Sequence, residues 1–341
     1  MRFFLINSLI TIALLALISC GSSSSSKSTT TDVSSNNESS ETTTSISTEK
    51  FTPPTGACST ANLDSPCPRR ILLATSTDGI NFTRSGTVLS DQANTPNMIV
   101  LPNGRIIIYY TGSNLDTSNA ASPIDAIAAA VSDDNGSTWT YYKTEMTGFG
   151  DGAPIVDPDI VYLEDGTFRM FVTRGIDENG SSKIGILYAD STDGFKFEYG
   201  GISATTDNNI VDSLTYKIGS TYHMHILNPE GSGGFAYFTS SDGKSFNFVN
   251  ETQHNIGAET YILSNWLPLD AGGYRIYGFN LVNNDIRSFT TTDGATLSAG
   301  SDVHLAFADD TTGLEKTWVK DAAVAKLANG TYLMAYVAEI P

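Results

Sequence analysis

The chain has 341 residues, with 19 Lys and Arg against 37 Asp and Glu, for a formal net charge of −18. So acidic a chain repels polyanions, which excludes nucleic acid and anionic surfaces as partners. Hydrophobic residues make up 40% of it, enough for a packed core, and beyond the first twenty residues no stretch is apolar enough to span a bilayer.

The opening "MRFFLINSLITIALLALISC" sets Arg2 before an apolar run from Phe3 to Ile18, with small Ser19 ahead of Cys20. A run this short with these flanks predicts a signal peptide over 1–19 rather than a membrane span. "LISC" followed by Gly21 resembles the bacterial lipobox. That resemblance implies cleavage before Cys20, lipidation of its thiol and an outer-membrane destination. An ordinary signal peptide with an incidental cysteine is the plainer alternative. Residues 20–56 are expected to form a tether. As far as residue 50 it is almost entirely Ser, Thr, Asn, Glu and Lys, too poor in apolar surface to offset chain entropy. The expectation is a domain at the bacterial cell envelope, outside the cytoplasm, touching membrane through its lipid alone.

Residues 57–341 are expected to form one domain. Cys58 and Cys67 flank "STANLDSP" at its start, and an oxidising compartment predicts a local disulfide between them. No CxxC or His/Cys cluster suggests zinc, and no cofactor is expected.

From residue 71 onward one turn recurs. "STDGINF" (76–82), "STDGFKF" (191–197), "SSDGKSF" (240–246) and "TTDGATL" (291–297) share a pattern, and "SDDNGSTW" (132–139) is a full Asp-box with one added residue. Asp-Gly between apolar segments is a strong hairpin signal, because glycine accepts positive φ and Asp bonds nearby backbone N–H groups. A second kind of hairpin alternates with the first: "PNMIVLPNGRIIIYYTG" (96–112), "PDIVYLEDGTFRMFVTRG" (158–175), "SLTYKIGSTYHMHILN" (213–228), "NWLPLDAGGYRIYGFN" (265–280) and "AAVAKLANGTYLMAYVAE" (322–339). Two hairpins make one four-stranded antiparallel unit, repeated at propeller-blade spacing. The first outer hairpin lacks an inner partner and the last inner hairpin lacks an outer one. The predicted fold is therefore all-β: a five-bladed β-propeller closed by N-terminal strands that complete the last blade. Six blades would need a sixth copy of each turn.

The inner hairpins, "VDPDIVYLEDGTFRMFVT" above all, resemble those of five-bladed glycoside hydrolases of the arabinanase and xylosidase type (family 43) and their invertase-type relatives. The resemblance implies action on carbohydrate through carboxylates around a central funnel. It allows a central calcium, though no Asp-rich loop here demands one. A monomer is expected.

Strand direction sorts the acidic residues. The Gly turns share one face, so Asp134, Asp165, Asp193, Asp242 and Asp293 read as turn residues. The starts of the inner strands share the other face, where Asp157, Asp212 and Asp321 take equivalent places. Glu259 and Asp91 lie four positions earlier in register in their own blades. Glycoside hydrolysis needs a pair of carboxyls flanking the scissile bond, and these five are the catalytic candidates. By blade position Asp212 and Glu259 resemble the family's orienting Asp and acid, and Asp157-Pro158 resembles the Asp-Pro of the invertase relatives. Where the family has a first-blade Asp, this chain has Asn94, Thr95 and Asn97. Arg174, Trp318, His223 and His225 are candidates for substrate contact, with interblade packing as the other reading. A glycan-binding or adhesive protein on the same scaffold, with no turnover, is the alternative function. A sialidase or a protein-binding scaffold stands further off.

Overall fold

The computed structural model describes residues 49–58, 65–113, 126–150, 154–178, 181–231 and 234–341, and the fold is all-β. The signal peptide, Cys20 and the tether as far as residue 48 lie outside the described residues.

Strands β1 (Arg69–Ser76) and β2 (Thr83–Asp91) come first and do not form a blade of their own. Four complete blades follow in chain order. The first holds β3 (Ala93–Val100), β4 (Ile106–Gly112), β5 (Ala126–Ser132) and β6 (Thr140–Lys143). After β7 (Glu145–Thr147), the second holds β8 (Val156–Tyr162), β9 (Phe168–Glu178), β10 (Ser181–Ser191) and β11 (Lys196–Ala204), with β7 pairing parallel to its outer edge. The third holds β12 (Val211–Ile218), β13 (Thr221–Leu227), β14 (Phe235–Ser240) and β15 (Asn247–Thr252). A small hairpin, β16 (Asn255–Ile256) with β17 (Glu259–Thr260), leads into the fourth. That blade has β18 (Ile262–Pro268), β19 (Tyr274–Asn280), β20 (Asp285–Thr291) and an outer edge split into β21 (Ser298–Ala299) and β22 (Leu305–Ala306). β23 (Val319–Lys326) and β24 (Tyr332–Glu339) are the last inner pair. β1 pairs antiparallel with β24 from Arg69↔Glu339 to Ser76↔Tyr332, so the fifth blade runs β23-β24-β1-β2 and the two ends of the domain close the ring. Closure of this kind removes the open edges that a linear sheet array would leave.

The period of two along each strand explains the apolar runs. On β4, Ile106, Ile108 and Tyr110 pack into the seam with blade five, while Ile107 and Tyr109 pack into the seam with blade two. Both faces of the strand are buried, so both sets are apolar. Five separate hydrophobic clusters result, one between each pair of neighbouring blades.

The recurring Asp-Gly turn has two jobs. Within the turn, the Ser76 hydroxyl accepts from the Gly79 N–H at 3.0 Å, and Asp78 Oδ1 accepts from the N–H groups of Ile80 and Asn81, each at 2.8 Å. The turns at Asp193, Asp242 and Asp293 repeat the scheme. Such bonds favour the ionised carboxyl: the Thr138 hydroxyl and N–H hold Asp134 down to about 2, and the Thr296 N–H and hydroxyl do the same for Asp293. Between blades, the turn glycine's carbonyl accepts a bond from the preceding blade: Tyr109 to Gly194 at 2.8 Å, Arg169 to Gly243 at 3.1 Å, Tyr216 to Gly294 at 2.9 Å and Tyr277 to Gly79 at 2.8 Å. Gly294 has φ +79°, and a Cβ there would stand 2.4 Å from the His223 ring. Only glycine fits both the conformation and the gap.

Residues 49–56, expected as the end of the tether, lie against the fold. Lys50 bridges to Tyr142 on β6, Phe51 packs into the seam between blades five and one, and the Gly56 N–H donates to Asp91. Cys58 and Cys67 are disulfide-bonded, with Cα atoms 5.0 Å apart.

Candidate active site

Each innermost strand breaks register near its start: between Asn94 and Asn97, Val156 and Asp159, Val211 and Ser213, Leu263 and Asn265, and Lys320 and Ala323. The unpaired positions are bulges, which turn a side chain out of the blade's alternation. They put Thr95, Asp157, Asp212, Ser264 and Asp321 around one central hollow of about 30 Å³, room for about two waters. Thr95, Asp157, Asp212 and Asp321 have φ of 45°, 55°, 54° and 47°, a left-handed region that non-glycine residues seldom occupy. Pro96 and Pro158 follow two of them and line the hollow; proline suits a bulge because no ladder bond needs its missing N–H.

Neighbouring blades hold these bulges in place. The Asp157 N–H donates to Thr111 Oγ1 of blade one at 2.9 Å, and the Asp212 N–H to Thr173 Oγ1 of blade two at 3.2 Å. Ser264 Oγ donates to the Ala322 carbonyl of blade five at 2.9 Å. The backbone is thus tied down while the carboxyls face the hollow.

Burial pushes the Asp157 carboxyl up, and the charge of Asp321 adds to this against hydrogen bonds from Thr173 and Thr95. Burial likewise pushes Asp212 well up, followed by the charges of Asp157 and Asp321. The Asp157 and Asp212 carboxyls act on each other as like charges, so a proton on either one relieves their repulsion. Asp321 is differently placed: its Oδ2 is ion-paired with Lys320 Nζ, with Lys320 only 9% and Asp321 8% exposed. Below the ring, Asn97 and Ser213 also line the hollow. Asn97 donates to Asp159 Oδ1 at 3.3 Å, and burial pushes Asp159 up to about 7.

The other expected site residues lie elsewhere. Asp91 ends β2 and is bound on both oxygens by Arg70, at 2.8 and 3.1 Å. Glu259 sits half-buried on β17 and does not line the hollow. Arg174 donates to the Phe149 carbonyl, with its guanidinium 5.5 Å from the Phe149 ring centre. Trp318 packs against the core between blades five and one, with the Arg69 guanidinium 5.8 Å from its ring centre and Lys320 Nζ 5.9 Å away. His223 and His225 are buried between blades three and four, where Tyr237, Tyr216 and Gly294 are their hydrogen-bonding neighbours. Of the near-face loops, 114–125, 151–153, 179–180 and 232–233 lie outside the described residues.

Sequence reasoning passed over Lys320, Ser264 and Asp159. Ser264 was within reach: aligning "NTPNMIV", "VDPDIV", "VDSLTY", "LSNWLP" and "KDAAVA" on their apolar strands puts Thr95, Asp157, Asp212, Ser264 and Asp321 in one column. Lys320, directly before Asp321, carried a signal only once that column was known to face the hollow. Among the described residues no three His, Cys, Asp or Glu side chains come together as a metal cage.

The sequence from residue 72 to 216 matches the family model described as glycosyl hydrolases family 32 N-terminal domain. That stretch includes Asp157 and Asp212. A search of curated proteins found no match. Among solved structures, a glycosyl hydrolase from Bacteroides ovatus is 14% identical, covering 73% of this chain and 84% of its own, with a TM-score of 0.51. A protein of unknown function from Dyadobacter fermentans is 15% identical, covering 79% and 83%, with a TM-score of 0.52. At these identities the likeness shows the fold: a glycoside hydrolase-like five-bladed propeller.

Proposed function

We propose that the protein hydrolyses glycosidic bonds in an oligo- or polysaccharide, with Asp157, Asp212 and Asp321 as its working carboxyls. The observation that supports this best is that three blades bring a carboxyl to the same hollow, two of them favouring a shared proton and the third ion-paired. Glycosidases need a protonated carboxyl to give a proton to the leaving oxygen and an ionised one across the bond. The Asp157–Asp212 pair supplies the first and Asp321 the second. The hollow admits a hydroxyl or a water, so the sugar ring rests above it.

The test is a screen of the purified protein against aryl glycosides and plant oligosaccharides. Asp212→Asn and Asp321→Asn are each expected to lower kcat/KM by about 100-fold or more, the usual loss for an acid or a nucleophile. Glu259→Gln, outside the hollow, is expected to stay within a few-fold of the parent. A glycan-binding protein without turnover is the second reading, favoured by Thr95 and Ser264 standing where two more blades offer no carboxyl. Glycan binding that Asp212→Asn leaves intact, with no hydrolysis of any substrate, would establish it.

The protein is further proposed to be held at the bacterial envelope by a lipid on Cys20. Cys20→Ser is expected to abolish incorporation of a labelled fatty acid and to shift the protein from the membrane to the soluble fraction. Unchanged labelling would remove the lipid anchor from the account.

A further inference from the structure

Three aspartates in equivalent bulges are chemically alike, yet hydrolysis through them needs one to give a proton and another to stay charged. The residue before each breaks the equivalence. Val156 precedes Asp157 and Val211 precedes Asp212, but Lys320 precedes Asp321. Lys320 is buried, and its Nζ contacts Asp321 Oδ2. Two rings enclose the ammonium, Phe279 with its centre 5.8 Å away and Trp318 at 5.9 Å. Burial pulls the Lys320 ammonium down, as does the charge of Arg69, and the carboxylates of Asp321 and Asp212 act against them to keep it protonated. Lys320 does not line the hollow, so any part it plays there is through Asp321.

We propose that Lys320 is the positioning residue that assigns the roles: it holds Asp321 as the anion of the site and leaves the exchangeable proton to Asp157 and Asp212. Its bearing on rate rests on the glycosidase reading, whereas its electrostatic content does not. A cation in contact with a carboxyl under poor solvation favours the ionised form by about one to three pH units. The aromatic walls keep the ammonium from swinging away, and the bulge keeps Asp321 from following it.

Two readouts test this on the full chain. In the pH profile of kcat/KM, Lys320→Met is expected to raise the acidic limb by about one unit or more, and Lys320→Arg to bring it back toward the parent's. A lysine with a merely structural role would change thermal stability and leave the limb in place. Independently of any substrate, carbon-13 carboxyl NMR, assigned with Asp321→Asn, is expected to show the Asp321 titration midpoint moving up by a similar amount in Lys320→Met. Lys320→Gln is measured alongside, so that a misfolded Met variant does not decide the matter. An Asp321 midpoint unmoved in the folded variant overturns the proposal. If the parent hydrolyses nothing, the glycosidase reading falls, while the NMR titration still decides the role of Lys320.

Discussion

Replacing His225 and His254 together by Gln is expected to make the variant about 6 kcal/mol more stable relative to the parent at pH 4 than it is at pH 7. Both histidines are buried in the seam between blades three and four, with ring centres 5.2 Å apart. His225 Nε2 lies 3.1 Å from the Gly294 carbonyl, which only accepts, so Nε2 carries the proton and Nδ1 is the bare nitrogen. That Nδ1 is buried without a hydrogen-bond partner. Protonating it would bury a charge with no acceptor, and burial holds His225 down to about 4 and His254 down to about 3. A histidine depressed in the fold contributes stability that is full above its ordinary value near 6.5 and is lost as pH falls toward the folded value. The neighbours Tyr216, Tyr237, Phe235 and Phe289 carry no charge; His223 acts on His225, and of the three histidines in the seam Asp293 acts on His223 alone. Urea midpoints at pH 7 and pH 4 for parent and double variant give the comparison. Equal acid sensitivity in the two proteins would show that the seam does not titrate.

Asp159 is expected to act in the opposite sense over nearly the same window. Asp159 is 1% exposed, and burial raises its carboxyl from 3.8 to about 7 against the pull of the neighbouring Thr215, Ser213 and Asn97, of which Asn97 donates to Oδ1 while Oδ2 is buried without a hydrogen-bond partner. A carboxyl raised in the fold contributes stability that is full below its unfolded value and is lost as pH rises through the folded one. The shift corresponds to about 4 kcal/mol, lost progressively between about pH 4 and pH 7. Asp159→Asn keeps the shape and removes the charge. It is expected to be near neutral at pH 4 and to stabilise the protein by up to about 4 kcal/mol at pH 8. Asp157 and Asp212, also raised by burial, add to the same trend. Because the histidines and the aspartates oppose one another, the parent's own stability should vary little with pH, and only the variants expose the two components. A destabilised Asp159→Asn at pH 8 would mean that the carboxylate is solvated or paired in a way burial conceals.

The ring was legible because it is written locally. Each Ser-x-Asp-Gly turn encodes its own hydrogen bonds, and each inner strand is apolar on both faces because both face a seam. Counting turns counted blades, and the unpaired hairpins at the two ends showed how the ring closes. The carboxyls were half legible. Asp157, Asp212 and Asp321 stood out because strand starts share a face, whatever the loops do. Asp91 and Glu259 looked alike in register but diverge in space: Asp91 is drawn to Arg70, and Glu259 belongs to the two-residue strands β16 and β17, too short to show a period.

The sequence by itself therefore determined the blade count, the closure and which face carries the acidic residues, because these follow from turn chemistry and a period of two within a few residues. Only the tertiary structure decided which polar groups meet at the axis. A bulge turns a side chain out of the alternation without changing composition, and the charge beside Asp321 matters only because burial strips it of water. His223 and His225, alternating on β13 like funnel residues, point into a seam because Gly294, 69 residues beyond His225, leaves a gap for them. Contacts between residues so far apart in the chain, and the burial that gives them their strength, have no local signature.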